Sequence, residues 1–192
     1  MELIERAESL AQLFRETAQE AETARKPLDH VIDAIRESSL FSLMVPKQYG
    51  GHEQDLDTFF DVVLTLSRAD ASMGWITGFY IEHNLWLFNY PQHVFEKVLD
   101  GNDHVLAPAT LNIGAGSAQK VEGGYRLSGR WQWGTGLVHG TWVMAGGLAM
   151  DDTGNPVPTF FLLPKSDVEP IDTWYVTGMC ATGSSDFKIE AV

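Results

Sequence analysis

Through the first hundred or so residues the apolar positions recur every three or four places, and beyond about residue 102 they recur every two. The first spacing is that of helices with one buried face, the second that of strands. Leu3, Ala7, Leu10, Phe14, Ala18 and Ala21 form a single stripe and predict a helix from Leu3 to about Ala24. Glu5, Glu8, Gln12, Glu16 and Glu20 occupy its opposite face. Pro27 stops this helix and can open a second as its first residue, with Leu28, Val31, Ile32 and Ile35 buried. Val45-Pro46 and Tyr49-Gly50-Gly51 read as a loop. A third helix is expected from Asp57 to Ala69, with Phe59, Phe60, Val63 and Leu66 inward. The fourth, Ser72 to Asn89, is apolar nearly all round and so belongs inside a bundle. Pro91 opens a short fifth helix that ends near Leu99.

From His104 onward the pattern is strand and turn. Tyr125, Leu127, Gly129, Trp131 and Trp133 alternate with Arg126, Ser128, Arg130 and Gln132, predicting a half-buried strand with one aromatic and one polar face. Gly123-Gly124 is the turn leading into it. Trp142 to Met150 is the next strand, Asp151-Asp152-Thr153-Gly154-Asn155 a turn, and Pro158 to Pro164 a third strand. Val168 to Val176 and Phe187 to Val192 complete the set. The expected architecture is α+β. An all-α N-terminal domain, residues 1–102, precedes an antiparallel β-barrel or sandwich domain, residues 103–192.

Composition narrows the functional classes. The 192 residues carry 13 Lys and Arg against 26 Asp and Glu, a formal net charge of −13. That excludes most sequence-independent nucleic-acid binding, which needs a basic face, and disfavours anionic membrane surfaces. With 44% hydrophobic residues the chain can build a core. Cys180 is alone, so neither a disulfide nor a multi-cysteine zinc site can form within the chain. Charges stand where a signal peptide needs an apolar run, and the longest apolar stretch, Met73 to Phe88, is broken by Glu82, His83 and Asn84. A soluble cytoplasmic protein is expected.

Familiar catalytic patterns are missing. Gly114 and Gly116 begin a GxGxxG pattern, but its third glycine falls on Gln119 and a strand follows instead of a helix. Six scattered histidines make no HExxH pair, Asp55 and Asp57 extend into no calcium loop, and Gly-x-Ser-x-Gly is absent. Cys180 reads as a small residue in a Gly-rich turn.

Two places remain. His83 lies with Glu82 and Asn84 on a helix otherwise lined by Trp75, Ile76, Phe79, Tyr80, Ile81, Leu85 and Trp86. Polar groups in such surroundings are hydrogen-bonded or face a cavity, so His83 is either a satisfied buried histidine or the wall of a substrate pocket. In Trp131-Gln132-Trp133-Gly134-Thr135-Gly136, alternation puts Trp131, Trp133 and Thr135 on one face. They would be either core or an aromatic ledge, beside a hydroxyl, for a planar heterocycle.

Over essentially its whole length the chain resembles the acyl-CoA dehydrogenase superfamily. Val45-Pro46-Lys47-Gln48-Tyr49-Gly50-Gly51 is similar to the P-x-x-Y-G-G loop. Gly123-Gly124-Tyr125-Arg126-Leu127-Ser128-Gly129 leads into Trp133-Gly134-Thr135-Gly136, where dehydrogenases have Trp-Ile-Thr or a close relative beside the flavin. Trp174 and the run Gly178 to Asp186 resemble the G-x-R-x-T-G-S-x-D turn. Within the superfamily, Ala71-Ser72-Met73-Gly74-Trp75, Gly129-Arg130-Trp131 and the run Thr135 to Trp142 are similar to stretches of the two-component hydroxylase branch, the flavin-dependent monooxygenases. Thr110 to Ser117 stands where dehydrogenases usually have T-E-x-x-x-G-S-D.

The resemblance implies a flavin-dependent oxidoreductase that takes reduced FMN or FAD from a separate reductase. It would oxygenate an aromatic or heteroatom substrate through a C4a-hydroperoxyflavin. By the same resemblance Thr135 stands beside flavin N5 as the catalytic hydroxyl, and Trp133 packs on the ring system. Thr110, Leu111, Asn112, Ser117 and Gly136 border the flavin, and His83 faces the substrate. No metal is implied. Cys180 replaces the usual arginine, so a charge-based role there is not carried over. An FAD-containing acyl-CoA dehydrogenase and a non-catalytic ligand- or partner-binding module are the alternatives.

Superfamily members continue into a C-terminal four-helix bundle that completes the active site and the core of a homotetramer. The chain is therefore expected to be a fragment holding about half a site. Weak flavin binding is the expected outcome, checked by fluorescence titration of the chain with FMN and FAD; saturable tight binding would contradict it.

Overall fold

The computed structural model describes residues 2–151 and 153–192. Met1, and Asp152 within the expected turn at 151–155, lie outside the described residues. The helices are α1 (Glu2–Ala24), α2 (Asp29–Glu37), α3 (Leu56–Ser67), α4 (Ala71–Leu87) and α5 (Gln92–Leu99). Two carboxylates start the third and fourth. Asp55 accepts from the Thr58 backbone N–H at 2.9 Å, and Asp70 from that of Met73 at 2.7 Å, each satisfying a donor the helix cannot. Phe14, Val31, Ile35, Phe41, Leu66 and Ile76 lie in the shared core of this half. Among the described residues no helix is long and apolar enough to cross a membrane.

Two helical expectations shift. Pro27 does not open α2: Leu28 is the cap, held extended while its side chain stays in the core, and the helix begins at Asp29. Phe60 points outward and is 56% exposed. The face of α3 turned to α1 and α4 is the stripe Phe59, Val62 and Leu66, which leaves Leu56, Phe60 and Leu64 as a second, outward stripe. A helix rotated by one residue, about 100°, moves a side chain from one stripe to the other.

The second half contains β1 (Ala109–Thr110), β2 (Gly116–Val121), β3 (Gly124–Trp131), β4 (Trp142–Met150), β5 (Pro156–Pro164), β6 (Glu169–Ile171) and β7 (Asp186–Ile189). These form one sheet in the order β1-β4-β2-β3-β7-β6, with β5 on the other edge of β4. The sheet is mixed, which corrects the antiparallel expectation. Strand β4 runs parallel to β1 and β2, while its long ladder with β5 is antiparallel. The connection 132–141 carries the chain from the end of β3 past β2 to its far side, so β4 runs with β2. Periodicity reports which residues face the core and is silent on which strand becomes the neighbour. The expected strands at 168–176 and 187–192 shorten to β6 and β7.

Strands β1 and β2 are successive pieces of one edge along β4. The first pairs with Met144 and Ala145, the second with Leu148 and Ala149, and between them residues 111–115 leave the ladder. Gly146 and Gly147 lie opposite the gap, and a Cβ on Gly146 would sit 2.9 Å from Ile113 Cδ1. The gap frees the Gly146 carbonyl, which accepts from the indole N–H of Trp131 at 2.7 Å. Trp131 is fully buried and stacked on Phe187.

The helices meet the sheet half along a polar seam on α4. Tyr80 Oη donates to the Gly136 carbonyl at 2.5 Å, and burial pushes its pKa up, so it remains a donor. Asn84 bonds both backbone groups of Val105: Nδ2 donates to the carbonyl at 3.0 Å, and Oδ1 accepts from the N–H at 2.9 Å. Asn84→Ala strands both of these buried groups and is expected to cost about 3 kcal/mol. Urea denaturation checks it; a loss below about 0.5 kcal/mol at unchanged m would show that the seam contributes little to stability.

Candidate active site

A cavity of about 620 Å³ opens between α4, the end of β1, the segment after β3 and the turn that precedes β7. From α4 it takes Trp75, Phe79, Glu82, His83 and Trp86, whose separations of four, three, one and three residues put them on one helical face. The rings stack along the helix, with centroids 4.6 Å apart for Trp75–Phe79, 5.1 Å for Phe79–His83 and 5.0 Å for His83–Trp86.

His83 is buried with one nitrogen bonded, and it also lines the cavity. It is buried and its Nδ1 lies 2.8 Å from the Ala107 carbonyl, which can only accept, so Nδ1 carries the proton. Burial lowers its pKa to about 4 despite that bond, and the ring is neutral at pH 7. The ring lines the cavity, and Nε2 is left with a lone pair and no hydrogen-bond partner among the described residues.

The sheet supplies Ala109, Thr110 and Leu111, where the chain leaves β4. Thr110 Oγ1 is buried and has no hydrogen-bond partner among the described residues, an arrangement that ordinarily costs about 1–3 kcal/mol. A third wall holds Gln132, Trp133 and Thr135. Trp133 adopts a left-handed φ of 63° and is 67% exposed, whereas Trp131 is core. The common face expected for Trp131, Trp133 and Thr135 is therefore corrected: β3 ends at Trp131, alternation ends with it, and the turn swings Trp133 outward.

The turn is fixed from behind. Gly134 N–H donates to Ser185 O at 2.9 Å, and Tyr80 holds the Gly136 carbonyl. Gly136 has φ 77° and a Cβ there would lie 2.6 Å from Tyr80 Oη, so only glycine fits without displacement. Thr135 begins a chain of hydroxyls with a defined direction. Thr182 Oγ1 donates to Met179 O at 2.9 Å, so its own oxygen accepts from Ser184 Oγ at 2.8 Å. The Ser184 oxygen in turn accepts from Thr135 Oγ1, also at 2.8 Å. The Thr135 proton is thus committed, and its oxygen offers lone pairs.

Of the residues singled out from sequence, His83, Thr110, Leu111, Trp133 and Thr135 come together around the cavity. Asn112 and Ser117 are exposed and outside it, and Gly136 sits behind Thr135 against Tyr80. Sequence reasoning missed Glu82, Trp75, Phe79 and Trp86 as site residues, and likewise Trp174, Thr182 and Ser184. The first four carried a usable signal, an aromatic face at helical spacing that includes adjacent Glu and His. The last three come from an irregular turn that has no period. Among the described residues no three His, Cys, Asp or Glu side chains converge on a metal site.

No protein-family model matches the chain. The chain is 38% identical, over 100% of its length, to a pigment production hydroxylase from a Rhodococcus species, of which it covers 49%. It is 34% identical, over 98% of its length, to the oxygenase subunit HsaA of a flavin-dependent monooxygenase from Rhodococcus jostii, again covering 49%. A solved structure of XiaF from a Streptomyces species, in complex with FADH2 and glycerol, matches at TM-score 0.93 and 32% identity, covering 100% of this chain and 48% of that one. The chain spans about half the length of the curated relatives it matches.

The depressed His83 pKa makes stability pH-dependent. The unfolded state takes up its proton near pH 6.5 and the folded state only near pH 4, so stability is full above 6.5 and falls between those values. The expected loss attributable to His83 is about 3 kcal/mol by pH 4. Denaturation midpoints of wild type and His83→Asn across this range check it; parallel profiles would show that His83 protonates freely.

Proposed function

We propose that this chain forms the N-terminal α domain, residues 1–102, and the middle β domain, residues 103–192, of the oxygenase component of a two-component flavin-dependent monooxygenase, built on the acyl-CoA dehydrogenase plan. The observation that carries the reading is that one cavity is lined by the buried Thr110 hydroxyl, which has no partner among the described residues, by the outward indole of Trp133 and by the Thr135 oxygen, which is free to accept. A flat ring with polar edges fits such walls, and the full-chain likeness to hydroxylases that use flavin supports the choice.

A reduced flavin bound here would supply the electrons with which dioxygen is activated for insertion into substrate. Trp133 would pack against its ring. Thr135 would accept a hydrogen bond from the ring's N–H edge, because its own proton already serves Ser184. Thr110 and Leu111 would border the ring. Asn112 and Ser117 are left out of the proposed site because neither lines the cavity, and Gly136 acts through the turn. His83, neutral with Nε2 open, would accept a hydrogen bond from the hydroxyl of a small phenolic or related aromatic substrate and so orient it.

Its partners in this reading are a separate reductase that delivers reduced FMN or FAD, and further copies of the whole protein in a homotetramer. The uncovered stripe Leu56, Phe60 and Leu64 supports an assembly of that kind.

The test supplies the protein, with whatever flanks this chain in its gene, with reduced flavin, dioxygen and a panel of phenols. Isotopic oxygen is expected in the ring of at least one product. No incorporation, together with reduction of tightly bound FAD by an acyl-CoA, would replace this reading with the dehydrogenase. Thr135→Val is expected to lower the yield of oxygenated product per flavin oxidised by roughly tenfold, the worth of one hydrogen bond of about 1.4 kcal/mol, and Thr135→Ser to keep it.

A further inference from the structure

Three consecutive polar residues interrupt the apolar sequence of α4, and they have different fates. Asn84 is fully occupied by the Val105 backbone, Tyr80 O and Phe41 O. His83 spends one nitrogen on Ala107. Glu82 is half-buried, lines the cavity and has no hydrogen-bond or ion-pair partner among the described residues. Burial pushes its pKa upward, the signature of a carboxylate that has given up water without receiving a donor in exchange.

The surroundings define what would satisfy it. Among the described residues no Lys or Arg lines the cavity, and the adjacent His83 is neutral, so these residues bring no positive charge to Glu82 there. Trp75, Phe79 and Trp86 flank it on the same helical face, and Trp174 also lines the cavity. Aromatic faces carry negative electrostatic potential and attract cations, and a carboxylate among them strengthens that preference. The same walls disfavour an anion, which would meet both the ring faces and a like charge.

We propose that the cavity selects aromatic substrates that carry a protonated amine, and that Glu82 is the specificity-determining residue, pairing its carboxylate with the ammonium while the ring lies among the tryptophans. The assignment rests on reading this cavity as the site for an aromatic substrate, and it does not depend on the flavin.

Three probes that share a phenol and a two-carbon arm test it. These are 4-(2-aminoethyl)phenol, 4-(2-hydroxyethyl)phenol and 3-(4-hydroxyphenyl)propionate, titrated into the chain at neutral pH with tryptophan fluorescence as the readout. The amine is expected to bind roughly tenfold or more tightly than the alcohol, and the carboxylate most weakly. Glu82→Gln, with its circular dichroism checked against wild type, is expected to erase the preference for the amine and leave the affinity for the alcohol unchanged. Equal binding of all three, binding of none, or an amine preference that survives Glu82→Gln would overturn the proposal. Since no flavin enters the titration, these outcomes are separate from those of the oxygenation assay.

Discussion

The spacing between the helices and the sheet is set by hydrogen bonds from α4 to backbone groups of the other half, and the cavity exists because that spacing is held. Tyr80 holds Gly136, His83 holds Ala107, and Asn84 holds Val105; just past the helix Tyr90 Oη donates to Phe160 O at 3.1 Å. Apolar contact alone would let α4 slide or roll, because one packed arrangement of methyl groups differs little in energy from its neighbours. Bonds to specific carbonyls in a dry interface permit one register, since slipping would leave several buried groups unpaired at once. With the helix fixed, Trp75, Phe79 and Trp86 have no choice of face. They look into the gap.

Much of this was legible in the sequence, and the failures are specific. All five helices and Trp142–Met150 follow from spacing, because the apolar stripe that packs them is also the pattern that is read. Phe60 was misplaced because α3 has two apolar stripes and only the packing partner decides which one is inside. The parallel pairing of β4 escaped because it comes from the path of 132–141, a stretch without periodicity. At the site, the odd polarity of Glu82-His83-Asn84 marked α4 correctly, whereas Trp131 and Trp133 separated because a strand ended one residue too soon for alternation to hold. Thr182 and Ser184 matter through hydroxyl geometry that no spacing encodes.

The cavity also shows a division of polar labour. Beside it, Asn84 and the indole of Trp131 hold the fold and have their partners, while elsewhere His52 Nε2 and His139 Nδ1 are buried without one among the described residues. Groups that face the opening are left short. Among the described residues Thr110 Oγ1 has no partner, His83 keeps one nitrogen free, Thr135 keeps its lone pairs, and Glu82 keeps its whole carboxylate. Such deficits lower stability.

The break in the sheet edge at 111–115 has a consequence for how such a molecule can change. Ladder pairs on both sides of the break anchor β1 and β2 to β4 independently, and Trp131 caps the one carbonyl the break exposes. The rim residues that follow Thr110 therefore run between two fixed points, with Ile113 laid against Gly146 and Leu111 turned to the cavity. New side chains at the exposed Leu111 and Asn112 can reshape the mouth of the cavity while the pairings that keep the sheet in register stay untouched. Over evolutionary time, that makes the span a natural place for new ligand preferences to arise without a new fold.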